Sequence, residues 1–327
     1  MGITHSQPKY AIFGTGLAAD EAFEFARSKN YYVSVFIDDF RMGTHKGLPV
    51  VSWEEFLVIQ HEYCAIIIGK YQKGDLQSRR YLTIPLIVAP YPIDSSLGIE
   101  NTKKLLSYKD KHKNKRCFII GNGPSLNLKD LEKLNGEYSF ASNKIYLIYS
   151  ETVWRPSFYF VEDMLVAENN STIINELQSE KFLEYSTLKF LNHANSSVFF
   201  HIDSPLPIFR NVMHGLGVGR SVTAAQLQFA KYMGFTEVYM IGMDFHFTLP
   251  DNSSVNQETL VSTGECNHFH PEYRKAGETW SFPDLESQKQ FFDYTAKYVC
   301  NDNFKVFNAS RFSKLDSFPR VDFDSLF

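Results

Sequence analysis

Four groups of residues in this sequence have the types and spacing to do chemistry. Gly121-Asn122-Gly123-Pro124-Ser125 closes an apolar run, and Gly215, Gly217 and Gly219 alternate into Arg220-Ser221-Val222-Thr223. Glycines ahead of a helix start leave backbone amides open to an anion, while hydroxyls and an arginine add contacts, so both stretches suit a phosphate. Carboxylates form the third group, Glu162-Asp163 and Asp244. Together they could hold Mg²⁺ bridging phosphates, and Asp244 alone could act in catalysis or cap a turn. The fourth group is Cys266-Asn267-His268-Phe269-His270. On an extended chain Cys266, His268 and His270 share a face, but such tight alternation suits a tetrahedral zinc site poorly and no fourth ligand is evident. His268 or His270 as a general base fits better, since imidazole titrates near neutrality. A buried, hydrogen-bonded histidine is the structural alternative.

The flanking patterns say how these groups are carried. Residues 117–120 are a continuous apolar run short enough for a strand buried on both faces. Pro124 and Ser125 suit a first helical turn, and Leu128, Leu131 and Leu134 recur at helical spacing. Residues 137–141 read as a second strand ending at Ser142-Asn143-Lys144, and 157–161 as a third ending at Glu162-Asp163. A polar helix over 165–178, a mixed segment over 182–191 and an irregular stretch over 192–210 with Pro205 and Pro207 follow. The 192–210 stretch is long enough for a binding lid or a plain surface insertion. A helix over 224–233 then leads to a strand over 237–241 that delivers Asp244. An amphipathic helix over 285–299 and a strand over 305–308 complete the sheet. Ligands of open α/β sheets lie outside the carboxyl ends of strands, so the glycine turn, Asn143, the acids and the 220–223 helix start predict one cleft.

Ahead of this lies a second α/β pattern over 9–90. A strand at 10–13, the turn Gly14-Thr15-Gly16-Leu17-Ala18-Ala19, a helix at 20–28 and a strand at 32–37 closing on Asp38 make a Rossmann-like half, with Ala19 in the third glycine position. Further strands are expected at 65–68 and 86–88. Gly14, Gly16 and Asp38 are a second candidate nucleotide site, and a structural or docking role is the alternative. The expected division is 1–95 as a Rossmann-like accessory domain, 96–115 as a basic linker and 116–327 as the catalytic domain. Pro92 and Asp94 form turns into that linker. Its run Lys103, Lys104, Lys109, Lys111, Lys113, Lys115 and Arg116 reads as a solvated linker or exposed helix, or as a weak hold on an anionic membrane surface or lipid-linked acceptor.

Composition bounds the function. A net charge of −4 argues against a general nucleic-acid binder. No apolar run reaches the roughly 18 residues of a membrane span, and the amino-terminal residues lack a signal-peptide core. Cys64, Cys117, Cys266 and Cys300 show no paired spacing, as in a reducing compartment. These features predict a cytoplasmic protein, at most peripheral at the inner membrane face.

The order Ile-Ile-Gly-Asn-Gly-Pro-Ser-Leu at 119–126, Phe-Ala-Ser-Asn-Lys-Ile-Tyr at 140–146, Gly-Arg-Ser-Val-Thr at 219–223 and Met-Gly-Phe-Thr-Glu-Val-Tyr-Met-Ile-Gly-Met-Asp-Phe at 233–245 resembles one bacterial superfamily. It includes CMP-sialic acid-dependent sialyltransferases of lipooligosaccharide synthesis, motility-accessory-factor flagellin glycosyltransferases and archaeal 6-hydroxymethylpterin diphosphokinases. The resemblance covers roughly 115–327 and is closest to members linked to surface polysaccharide, including the tail at 318–323. Residues 47–51 with Ile37-Asp38-Asp39 resemble the N-terminal domain of sugar-nucleotide acyltransferases. The resemblance implies an α/β protein with a Rossmann-like domain before a sialyltransferase-like, GT-A-type domain with a mostly parallel sheet. It implies glycosyl transfer from a nucleotide-sugar donor, a CMP-linked nonulosonic acid, to a glycan or lipid-linked acceptor, with no cofactor required. The 121–125 turn, Asn143, Arg220, Ser221 and Thr223 would hold the donor, and His268 or His270 would be the base. The enzymatic alternative is an ATP- and Mg²⁺-dependent diphosphokinase using Glu162, Asp163 and Asp244; the non-catalytic one is a sugar-nucleotide-binding scaffold.

Overall fold

The computed structural model describes residues 8–68, 82–88, 95–192, 197–204, 209, 212, 215–250 and 259–327. The chain divides into two compact units, Met1–Ile99 and Glu100–Phe327. The first contains β1 (Lys9–Phe13), α1 (Leu17–Ser28), β2 (Tyr32–Ile37), β3 (Gly43–His45), β4 (Leu48–Val51), α2 (Trp53–Ile59), β5 (Tyr63–Ile68) and β6 (Leu86–Val88). Its sheet runs β3-β4-β2-β1-β5-β6, parallel throughout except for the β3–β4 hairpin. One face packs on Trp53 and Phe56 of α2, the other on Ala19, Ala22 and Ala26 of α1. This is the Rossmann-like arrangement expected from the apolar runs, with the β3 edge strand added.

The second unit begins within α3 (Ser95–Tyr108) and contains β7 (Arg116–Ile120), α4 (Leu128–Lys133), β8 (Tyr138–Ser142), β9 (Phe158–Val161), α5 (Met164–Glu176), β10 (Lys181–Glu184) and β11 (Ser197–Phe200). It continues through β12 (Ile202–Ser204), β13 (Leu216–Gly217), α6 (Val222–Tyr232), β14 (Glu237–Ile241), β15 (Thr259–Val261), β16 (Thr279–Ser281), α7 (Leu285–Tyr294) and β17 (Lys305–Asn308). Seven strands form one all-parallel sheet, β11-β10-β9-β8-β7-β14-β17. Parallel pairing puts every carboxyl end on one edge. The chain steps outward from β7 to β11 and then returns to β14 on the other side of β7, so the switch point lies between β7 and β14.

The high aromatic content goes into the core of this unit. Phe160 and Phe182 stack at 4.7 Å, and Phe229 of α6 meets Phe160, Phe182 and Phe200 edge-on at 5.1–5.5 Å. The carboxy-terminal residues pack on the other side of β7, where Arg116 pairs with Glu137 and donates to the Leu326 carbonyl, and Phe327 lies against Phe118. Arg311 bridges buried Asp130 to Asp324 nearby.

Two expectations need correction. The basic stretch at 96–115 is not a solvated linker but carries a helix that is packed on one side. Leu105 and Tyr108 of α3 are buried in the core of the second unit, Asn101 exchanges hydrogen bonds with the Phe199 backbone, and His112 stacks on Phe235 at 4.9 Å. Lys103, Lys109, Lys111, Lys113 and Lys115 are exposed on the outer side, while Lys104 donates to the Ser197 carbonyl at 3.0 Å. The stretch at 192–210 contains β11 and β12; Pro205, Pro207 and Arg210 lie outside the described residues, as do Pro92 and Asp94. Among the described residues no helix is long and apolar enough to cross a membrane.

At the switch point the turns after β7 and β14 interlock. Gly121 N–H donates to the Ile241 carbonyl at 2.8 Å and Gly123 N–H to the Gly242 carbonyl at 2.9 Å. Asp244 accepts from the Ser125 backbone N–H at 2.9 Å and from the Ser125 hydroxyl. A Cβ on Gly123 would stand 2.6 Å from the Asp244 carboxylate, so the glycine is required by the neighbouring turn. Gly123→Val should therefore lower the ligand-free denaturation midpoint by the equivalent of about 1–3 kcal/mol, the usual scale for overpacking. An unchanged midpoint would show that this contact is not structural.

Candidate active site

The carboxyl ends of β7, β8, β9 and β14 and the start of α6 surround two adjoining hollows. The smaller, about 150 Å³, is lined by Gly121, Asn122, Asn143, Ser221, Asp244 and His268 among others. The larger, about 930 Å³, takes in Glu162, Asp163, Arg220, Ser221, Arg274 and Trp280. Asn143, Ser221, Val222, Phe247, His268 and Gln288 belong to both, so the two hollows share a wall.

The 121–125 turn lies at this site but is not an open phosphate cradle. The Gly121, Gly123 and Ser125 amides are used by the β14 turn, Pro124 has no N–H, and the Asp244 carboxylate already fills the anion's place beside Ser125. The adjacent helix α4 begins only at Leu128, capped by Asn127. Burial raises the Asp244 carboxyl despite the Ser125 hydrogen bonds. Its geometry is that of a tie between turns, the capping role.

Asn122 and Asn143 look into the smaller hollow from neighbouring strand ends. Asn122 donates to the Ser142 carbonyl at 3.3 Å, and the Asn143 carbonyl accepts from the Tyr159 hydroxyl at 2.6 Å. The side-chain oxygens of both are buried without a hydrogen-bond partner. Buried acceptors are normally satisfied, so this pair suits a ligand that donates N–H or O–H groups. Asn143 has φ +52°, a strained backbone position for a residue other than glycine.

The α6 start borders both hollows through Ser221 and Val222. Ser221 caps it by accepting from the Thr223 N–H at 3.4 Å. The Thr223 side chain itself is buried and its hydroxyl points to the Met243 sulfur at 3.6 Å. Arg220 (φ +51°) is exposed, its carbonyl is held by the Gln288 side chain at 2.9 Å, and its charge acts on Glu162 and Asp284.

The three acids proposed for Mg²⁺ are not gathered. Asp163 caps α5 through the Leu165 N–H and accepts from Ser281, while Asp244 is held by Ser125 in the other hollow. Burial, followed by the nearby Glu184 and Asp163 charges, pushes Glu162 to about 8, against the opposing pull of Arg220. Among the described residues no three His, Cys, Asp or Glu side chains come together as a metal site, which also removes the Cys266, His268 and His270 set. Cys266 is exposed.

The structure separates the two histidines. His268 lines both hollows and stacks on Tyr273 at 3.8 Å, nearly parallel. Burial, then the Arg274 and Lys144 charges, hold its imidazole well below the ordinary histidine range, so it is neutral at physiological pH. His270 instead caps a short turn by accepting from the Glu272 N–H at 3.1 Å and lines neither hollow. The residues that sequence reasoning missed come from the segment carrying β15 and β16. Buried Lys144 pairs with Glu278, and the Arg274 guanidinium lies 3.7 Å from the centre of the Trp280 ring. Only the close succession of Tyr273, Arg274 and Trp280 hinted at a wall.

In the first unit the Gly14–Gly16 turn reaches Asp38 through Thr15, and Asp38 is engaged by neighbouring turn groups. It accepts from the Thr15 hydroxyl at 2.6 Å and from the Phe40 and Arg41 amides. Burial alone would raise its carboxyl, and these hydrogen bonds reverse that and hold it low. No carboxylate oxygen is left without a partner for a ribose hydroxyl.

No curated protein matches this chain. A solved structure similar to it, the MAf glycosyltransferase from Magnetospirillum magneticum AMB-1, aligns over 99% of this chain at 12% identity with a TM-score of 0.43. The chain spans 59% of the length of that protein. Residues 96–249, from α3 to the turn after β14, match the family model described as 6-hydroxymethylpterin diphosphokinase MptE-like. That span carries the interlocked turns, Asn143 and the α6 start.

Proposed function

We propose that the second unit transfers a glycosyl group from a nucleotide-activated sugar, a CMP-linked nonulosonic acid, to a hydroxyl of a surface-glycan or lipid-linked precursor. The observation that carries this reading is the placement of neutral His268 on the wall between the two hollows, with the α6 start in both. The donor's phosphate would lie against the Ser221-capped helix start, where the helix dipole favours negative charge. Asn122 and Asn143 would accept from the nucleotide, and the larger hollow would hold the sugar and acceptor. The acceptor oxygen attacks the anomeric carbon as the bond to the phosphate oxygen breaks. The nucleotide leaves with that electron pair, and His268 takes the acceptor's proton. No residue in this scheme requires a metal. The first unit is then an accessory domain, and its Asp38 turn supports a structural role.

A second reading, ATP-dependent diphosphoryl transfer, is favoured by the family match at 96–249. A triphosphate needs Mg²⁺ to neutralise it, so the two chemistries separate on metal dependence. In a thermal-shift panel of CMP, CDP, UDP, GDP and ATP with Mg²⁺ or EDTA, CMP should stabilise best and survive EDTA. Strictly Mg²⁺-dependent ATP stabilisation would reverse the assignment, and turnover with any donor would remove a purely scaffolding role.

The pH dependence follows from His268. A general base works deprotonated, and a depressed value keeps it deprotonated as pH falls through the ordinary histidine value of about 6.5. The acid limb of kcat/KM should therefore lie well below that point, and a limb at or above it would exclude His268 as the base. His268→Ala should reduce kcat by about 10²–10⁴-fold, with His270→Ala close to the parent. The opposite pattern would assign the base to His270.

A further inference from the structure

We propose that Arg274, seated on Trp280, is an oxyanion-binding subsite of the larger hollow, taking carboxylate or phosphate oxygens of the bound substrate. The subsite stands whichever group is transferred, so it goes beyond the glycosyl-transfer reading.

Arg274 lies between β15 and β16, and its guanidinium sits 3.7 Å from the centre of the Trp280 ring, a side chain 5% exposed. Its Nη1 is buried and has no hydrogen-bond partner; the same is true of Trp280 Nε1 and Asn143 Oδ1, which line the same hollow. A guanidinium does not shed its proton in proteins, so burying one without an acceptor opposes folding unless something compensates it.

The acids that act on Arg274 through space are Glu278, Glu265 and Asp163. Each is engaged elsewhere. Glu278 is paired with Lys144, and Asp163 accepts from Leu165 and Ser281. Glu265 accepts at Oε2 from Ser262 and Thr263. Among the described residues none forms an ion pair or hydrogen bond with Arg274. A planar fork fixed by an aromatic face and left with free donors is suited to a two-oxygen anion. Ser221 and Val222 at the α6 start line the same hollow, so the helix dipole adds to the attraction. Glu265 Oε1 is also buried without a partner, which makes a collapsed Arg274–Glu265 pair the structural rival.

The test titrates the full chain with CMP, inorganic phosphate and free sialic acid at constant ionic strength, following the Trp280 signal by difference from Trp280→Phe. At least one probe should bind saturably, and Arg274→Met should weaken it by at least about tenfold, with Arg274→Lys restoring only part. Loss with CMP and phosphate assigns a phosphate, and loss with sialic acid alone assigns a carboxylate. The ligand-free Tm of Arg274→Met should equal or exceed that of the parent. The proposal is overturned if no probe binds saturably or if Arg274→Met leaves affinity unchanged. It also fails if Arg274→Met and Glu265→Gln lower the ligand-free Tm equally and the double variant no further, since that is the signature of a structural pair.

Discussion

The hydrogen-bonded closure of the β14 turn over the β7 turn, with Asp244 on Ser125, is the constraint on which the site depends. It joins residues of two strand-end turns that are 119 positions apart in the chain. It fixes the switch-point crevice and engages the Gly121, Gly123 and Ser125 amides within the protein. With an internal carboxylate in the anion's place, a second anion there would meet like charge at low dielectric. In the proposed function the electrostatic role falls to the α6 start and to the arginines of the larger hollow.

From that closure the remaining geometry follows. β14 in register with β7 aligns Gly242 and Asp244 with the ends of β8 and β9, which carry Asn143 and Glu162. The β15–β16 segment closes the outer side through the Lys144–Glu278 pair and the Ser281–Asp163 hydrogen bond. Those contacts bring His268, Tyr273, Arg274 and Trp280 to the wall. The orphan atoms of Asn122, Asn143, Arg274 and Trp280 mark where the protein alone does not complete its hydrogen bonding.

The strands and their cleft were legible because a buried parallel strand is a continuous apolar run and its end is punctuated by glycine or polar residues. Arg116–Ile120 and Glu237–Ile241 show this directly. The role of the 121–125 turn was not legible, because the requirement for Gly123 comes from Asp244, far away in sequence. The same locality hid α3. Its lysines advertise solvent, while only Leu105 and Tyr108 record its packed side. His268 and His270 look equivalent in an alternating stretch, and only the partners differ, Tyr273 in one case and the Glu272 amide in the other. β15 and β16 are three residues each, too short to announce a wall.

The central claim is that the nucleotide phosphate lies at the α6 start and not on the turn between β7 and α4. A crystal structure of the CMP complex tests it most directly. The account predicts phosphate oxygens at the Ser221-capped helix start, the base or ribose within hydrogen-bonding reach of Asn122 and Asn143, and the Asp244–Ser125 contact unbroken. Phosphate seated on the Gly121, Gly123 and Ser125 amides with Asp244 displaced would contradict it.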